Sequence, residues 1–211
     1  MVDNKDEVLK KLLCFLFVGM VSLPLLADTS RVPTYTFSVV PQQLESRTAI
    51  LWKPMLKHLS SETGYRFVLK TEVDIPTFET KLSQGDADFS YMNPYHYTVY
   101  SQKPGYRALA KAKNKQIRGV IVVKKYSLIQ SIDELRGETV AYPSPAAFAA
   151  SILPREFLMR NRIDTNPVYV DSHDAVYRKV AEGKYVAGGG VVRTLKTTTP
   201  IVRDELRVLW T

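Results

Sequence analysis

Cysteine is almost missing from this chain. The single one, Cys14, sits in an apolar stretch near the start, so residues 28–211 hold no thiol. That rules out disulfides, thiolate metal centres and cysteine nucleophiles beyond the stretch. Histidine is nearly as scarce, with only His58, His96 and His173. No H-E-x-x-H pair, G-x-S-x-G elbow or Walker glycine loop occurs. The usual parts of a hydrolase, a nucleophile with base and orienter or a metal cluster, are therefore not there, and the chain reads as a non-enzyme with no cofactor and no metal. A long apolar span is lacking too. The longest run, "LLCFLFVGMVSLPLLA" (12–27), is shorter than the ~20 residues of a membrane helix and is broken by Pro24.

What that run does resemble is a leader. Lys10-Lys11 precede it and Ala27 ends it, the layout of a secretory signal peptide over residues 1–27, and the compartment expected for a cysteine-free exported chain is the bacterial periplasm. The formal net charge is +8; Lys5, Lys10 and Lys11 cancel Asp3, Asp6 and Glu7, so the excess belongs to the exported part. Export argues against a nucleic acid as the anionic partner and for a small anion or simply a basic surface.

Beyond the leader, strands and helices alternate. "YTFSVV" (35–40) alternates as a strand. Ser46 is placed to cap a helix with Trp52, Met55, Leu56 and Leu59 on one face. Strands are expected at 65–72 and 87–92, with a short helix between them that opens at Pro76. A helix starting in "NPYHYTVYSQ" follows, then strands in "YRALAKA" and "RGVIVVKK", and a capped turn in "SIDELRG". The rest reads as strand 138–142, helix 145–160, strand 167–170, helix 173–182, strand 185–189, a further helix and a last strand, "LRVLW". Such alternation predicts an α/β fold with mostly parallel sheets. "LSQGDADFSYMNP" (82–94) and "VAEGKYVAGGGVV" (180–192) echo each other, which suggests two lobes hinged near residues 113–119.

Five strand-to-helix turns carry the candidate site, because ligands of parallel α/β sheets bind at the carboxyl ends of strands. "AYPSPAAFAAS" (141–151) offers Ser144 as N-cap, Pro145 as first helical residue, and Ala146 and Ala147, whose small side chains let an anion reach free backbone N–H groups. A well-capped helix with a small packing face is the plainer account of that stretch. "DSHDAVYRKV" places His173 in a first turn capped by Ser172 or Asp171; "YMNPYHY" offers Tyr91, Asn93, Tyr95 and His96; "PQQLESR" offers Gln42 and Gln43. Each of these also has a bland account as solvated, packing or loop residues. "AGGGVVRT" is read as a fifth turn, bare of side chains at Gly188, Gly189 and Gly190.

In order and spacing, "VVPQQLESRTAILWKPMLKHLSSETG", "LSQGDADFSYMNP", "SIDELRGETVAYPSPAAFAAS" and "DSHDAVYRKVAEGKYVAGGGVVRT" resemble the phosphate/phosphite/phosphonate-binding periplasmic proteins of ABC importers, over about residues 35–211. The resemblance implies a two-lobe type II periplasmic-binding-protein fold closing on an oxyanion, and ABC permease subunits as partners of a monomeric binder. It places ligand contacts at Tyr91, Asn93, the helix start Ser144, Pro145, Ala146 and Ala147, and His173, to which the reading of the turns adds Gln43 and Gly189. There are departures. Relatives often have several hydroxyls at the helix start where this chain has only Ser144. Binders of amino-bearing phosphonates place an acid where this chain offers Arg193 or a nearby glycine. The second copy of the G-x-x-D turn has Val186 where the first keeps Asp88.

The resemblance further implies a chain that crosses back after a strand like "RVLWT". The expectation is a first lobe over 28–116 that is incomplete without that return, and a second lobe over 117–211 that ends at the start of the second crossover. The same fold can also serve as the ligand-binding input of a membrane sensor kinase or chemoreceptor, which is the rival reading.

Overall fold

The computed structural model describes residues 32–211. The expected leader, with Cys14, lies outside the described residues. Pro33–Thr211 hold together as one unit, built on two sheets. Among the described residues no helix is long and apolar enough to cross a membrane.

The first sheet has three parallel strands in the order β2-β1-β3: β1 Thr34–Val39, β2 Arg66–Thr71 and β3 Phe89–Tyr91. Tyr35 and Phe37 alternate onto one face and meet Phe67 and Phe89 from the neighbouring strands. Helix α1, Glu45–Thr63, crosses from β1 to β2 and sets Trp52 against Phe37 and Tyr91. Ser46 does not cap it. The helix starts two residues earlier, with Leu44 at the N-cap, and the Leu44 N–H donates to Asp174 of the second sheet's layer, 3.1 Å away. A carboxylate thus sits at the positive end of α1.

Helix α2, Ile75–Gln84, has Pro76 in its first turn as expected, a cap from Asp74 to the Thr77 N–H, and buries Ile75, Phe78 and Leu82. Helix α3, Pro94–Tyr100, is capped by Asn93 through the His96 N–H. The strand expected in "YRALAKA" does not form: 107–118 are exposed and irregular. Its apolar positions are mostly alanines, and Leu109, 83% exposed, has no facing layer to bury against.

The second sheet runs β6-β5-β7-β4-β8, with β4 Gly119–Lys124, β5 Thr139–Tyr142, β6 Asn166–Tyr169, β7 Ala187–Val191 and β8 Leu206–Trp210. β5 is parallel to β6 and β7, whereas β4 runs antiparallel to β7 and β8, so β4 is the one reversed strand in an otherwise parallel arrangement. β4 is buried on both faces. Ile121 and Val123 join Leu135, Val140 and Leu158 on one side, and Val120 and Val122 pack with Tyr177 on the other.

Two further expectations shift. The helix placed at 145–160 begins late. Residues Phe148–Ile152 form one π-helical turn, and only Leu153–Arg160 (α4) are α-helical. Ser144 caps nothing; the Ala147 N–H turns back to the Ser144 carbonyl at 3.3 Å. Pro154 is the physical cause. It has no N–H to bond the turn before it, and the ladder slips so that the Ile152 N–H reaches Ala147 O and the Leu153 N–H reaches Phe148 O. The carbonyls of Ala149 and Ala150 then press on the sheet. A Cβ at Gly119 would meet Ala149 O at 2.2 Å, and one at Gly189 would meet Ala150 O at 2.1 Å. The glycine run is therefore mid-strand and not a turn: β7 lies two residues later than expected, and Gly188, Gly189 and Gly190 pair with Val122, Ile121 and Val120.

The remaining helices complete the second layer. They are α5 His173–Ala181, capped by Ser172, then α6 Val192–Thr197 and α7 Pro200–Arg203.

Candidate functional site

The ends of β1, β3, β5, β6 and β7 open onto one cleft between the two sheets' layers. Val40 and Gln42 follow β1, Asn93 follows β3, Ala147–Ala150 follow β5, His173 follows β6, and Val191 ends β7; Ile75 and Ile117 close the sides. The expected convergence of turns is thus present, with the fifth supplied by Val191-Val192-Arg193 in place of the glycines.

The cleft is drawn shut by polar bridges between the layers. Arg193 donates to the Tyr91 hydroxyl at 3.1 Å and to Gln42 Oε1 at 2.7 Å. Its guanidinium lies 5.7 Å over the Tyr91 ring. Gln43 Nε2 donates to Thr197 Oγ1 at 2.7 Å. Asn93 uses Oδ1 for its helix cap and sends Nδ2 to the Ala146 carbonyl at 3.4 Å. No carboxylate pairs with Arg193 among the described residues; its partners are all uncharged.

His173 is 2% exposed, and its Nδ1 lies 3.2 Å from Thr194 Oγ1. Burial, reinforced by the Arg193 charge, pulls its pKa down from 6.5 to about 3. It is a neutral imidazole at ordinary pH. Thr194 is held in turn by Tyr177, whose hydroxyl also spans the N–H and C=O of Val191. Burial first, and only partly offset by those bonds, pushes the Tyr177 phenol up to about 12, so it too is neutral.

Two hydroxyls stand out behind the wall of the cleft. Ser144 Oγ and Ser151 Oγ are fully buried and have no protein hydrogen-bond partner. They bracket the turn whose residues Ala147–Ala150 form that wall. The start of the combined π and α helix, whose first N–H groups have no partner within the helix, also falls at Phe148–Ala150. It lies beyond the Ala146 and Ala147 of the sequence expectation, and the Ala147 N–H is already engaged.

Of the expected site residues, Tyr91, Asn93, Gln43, Ala146, Ala147 and His173 gather at the cleft or its bridges, and Ser144 lies behind it. Gly189 is not brought there: it is fully enclosed mid-strand against Ala150 and Tyr142. Sequence reasoning missed Ser151, Thr194 and Thr197. Placing β7 two residues later would have made "VVRTLKT" the turn and exposed two of them.

The profile of the family described as ABC transporter, phosphonate, periplasmic substrate-binding protein matches residues 37–211. The chain belongs to this phosphonate-binding family. Solved structures agree in fold. A binding protein component of an ABC phosphonate transporter from Pseudomonas aeruginosa superposes with a TM-score of 0.73 at 15% identity, over 85% of this chain and 65% of that one. PhnD1 from Prochlorococcus marinus, solved with methylphosphonate, gives 0.75 at 18% identity, over 84% and 71%. The aliphatic sulphonate binding protein SsuA from Escherichia coli gives 0.56 at 15% identity, over 85% and 60%. The chain thus spans about two thirds of the length of the first of these. Its two sheets, with their helices, are the two-lobe type II periplasmic-binding-protein fold of that family.

Proposed function

We propose that this chain captures a phosphorus oxyanion (phosphate, phosphite or a small alkylphosphonate) in the periplasm and delivers it to the permease subunits of an ABC importer, acting as a monomer exported by residues 1–27. The observation that carries the oxyanion reading is the convergence of five strand ends on a wall of small residues, Ala147, Ala149 and Ala150, at the start of a helix whose first N–H groups have no partner within it. Backbone N–H groups at a helix start are donors that a tetrahedral oxyanion can take up. Tyr91 and Asn93 contribute from the opposite lobe, so that closure of one lobe on the other completes the shell. Arg193 at the bridge favours ligands without an ammonium group, since its charge has no carboxylate partner. The family is one of transport binding proteins, and no observation favours the sensor reading.

Trp52 supplies the assay, because its ring lies 4.7 Å from that of Tyr91. Titration with methylphosphonate, phosphite or phosphate is expected to change tryptophan emission saturably. 2-Aminoethylphosphonate should bind more weakly than methylphosphonate, and Tyr91→Phe should weaken binding about tenfold. A response to a sugar or an amino acid, with none to any phosphorus anion, overturns the reading.

A further inference from the structure

The protonation of His173 is legible from the contacts around it. Four contacts compete for few protons: His173 Nδ1 to Thr194 Oγ1 at 3.2 Å, Tyr177 OH to Thr194 Oγ1 at 2.7 Å, Thr194 Oγ1 to Val191 O at 3.0 Å and Tyr177 OH to Val191 O at 3.1 Å. Were Nδ1 bare, the two hydroxyl protons would serve only two of the four, and if Thr194 gave its proton to Nδ1, two oxygen–oxygen contacts would close with no proton between them. With a proton on Nδ1, three are served: His173 donates to Thr194, Tyr177 donates to Thr194, and Thr194 donates to Val191 O. The Val191 N–H donating to Tyr177 at 3.0 Å fits either way. The neutral ring therefore carries its proton on Nδ1, and Nε2 is a bare acceptor on a residue that lines the cleft.

An oxyanion has only acceptors to offer a bare Nε2. Either the ring gains a second proton or the ligand brings one. The surroundings oppose the first. Arg193 from α6 is an unneutralised positive charge; Asp174, the adjacent acid on α5, is held by the Leu44 N–H and the Thr198 hydroxyl. From the facing lobe come the Tyr91 hydroxyl and, behind Asn93, the Glu79–His96 pair, whose contact is at 2.9 Å. We infer that the cleft takes its phosphorus ligand in the singly ionised form, with the ligand's own P–OH donating to His173 Nε2. The inference rests on the oxyanion reading above and specifies the protonation state that site selects. The remaining oxygens of the ligand are then left to the N–H groups of the wall.

The test is affinity against pH for two ligands that differ in their second ionisation, methylphosphonate and phosphite, between pH 5.5 and 9. Each should bind best as its monoanion and lose about tenfold per pH unit above its own second pKa, with a midpoint that moves with the ligand. Methanesulfonate, an anion with no proton to give, should bind at least tenfold more weakly than methylphosphonate at pH 6. His173→Gln, whose amide can donate, should flatten the profile. Affinity that stays level through the ligand's ionisation, one midpoint shared by both ligands, or equal binding of methanesulfonate overturns the inference while leaving the oxyanion reading standing. Failure of every phosphorus anion to bind removes both.

Discussion

Acid should loosen this fold well before its carboxylates titrate, and His173 is the reason. In the unfolded chain the imidazole takes up a proton near its ordinary pKa of 6.5, whereas in the fold burial and Arg193 hold that pKa at about 3. Between those values the unfolded state binds a proton that the native state refuses. Stability therefore rises with pH through this window and is lost as pH falls below 6.5, with a slope approaching 1.4 kcal/mol per unit. From pH 7 to pH 5 the loss attributable to this one residue is about 2 kcal/mol. Asp88, whose pKa is lowered chiefly by the Thr36 N–H and hydroxyl, adds a loss of the same sign, but only as pH falls through its usual carboxylate range near 3.8, so between pH 7 and 5 the His173 effect stands nearly alone. Urea denaturation of the parent and of His173→Gln at both pH values isolates the effect as a difference of differences, which cancels any constant cost of the substitution. The parent should lose about 2 kcal/mol more than the variant on going from pH 7 to 5. Equal losses in the two proteins would refute the claim that His173 is folded away neutral. Its ring protons, followed by NMR, should likewise show no titration down to pH 5.

Two packing predictions follow from the same region. Gly189→Ala forces a Cβ to within 2.1 Å of the Ala150 carbonyl and 2.5 Å of the Tyr142 ring, so a loss of about 1–3 kcal/mol or more is expected; a melting temperature within a degree of the parent would show that the turn can simply move away. Tyr177→Phe removes the hydroxyl that serves Val191 and Thr194 and leaves the buried Val191 N–H without that acceptor. About 1–3 kcal/mol should be lost in a denaturation experiment, and an unchanged midpoint would mean that the network contributes nothing to stability.

How far the sequence announced this molecule depends on what each residue's role rests on. Local chemistry was legible. Pro76 opens α2 and a helix starts in "NPYHYTVYSQ" as expected, though the caps Asp74 and Asn93 went unnamed, and Ser172 was one of two caps offered for α5. Strand alternation in 35–40 gave β1 to within a residue. The strand-end turns that bring His173, Tyr91 and Asn93 together were visible because each joins an apolar run to a capped helix. What failed depended on partners far along the chain. Leu44 takes the N-cap from Ser46 with Asp174 bonding its N–H, a contact spanning 130 residues. The glycines looked like a turn because glycine usually punctuates; here the reason is the approach of the Ala150 carbonyl to Gly189 and of Val176, Val180 and Tyr177 side chains to Gly188 and Gly190, which no periodicity records. "YRALAKA" alternated well enough for a strand, but a strand needs a neighbour, and none lies beside it.

The slipped turn at 148–152 also limits how this protein can change. Pro154 denies an N–H to the carbonyls of Ala149 and Ala150, these lean on Gly119 and Gly189, and the same turn supplies the wall of the cleft. Positions 119, 154 and 189 lie on three separate elements, yet they behave as one unit: a side chain gained at either glycine has room only if the ladder before residue 154 is re-formed at the same time. Substitutions among them cannot be additive. A lineage is therefore free to vary Tyr91, Arg193 or His173 one step at a time and so retune what it carries, while the floor beneath those residues can be rebuilt only by several changes arriving together.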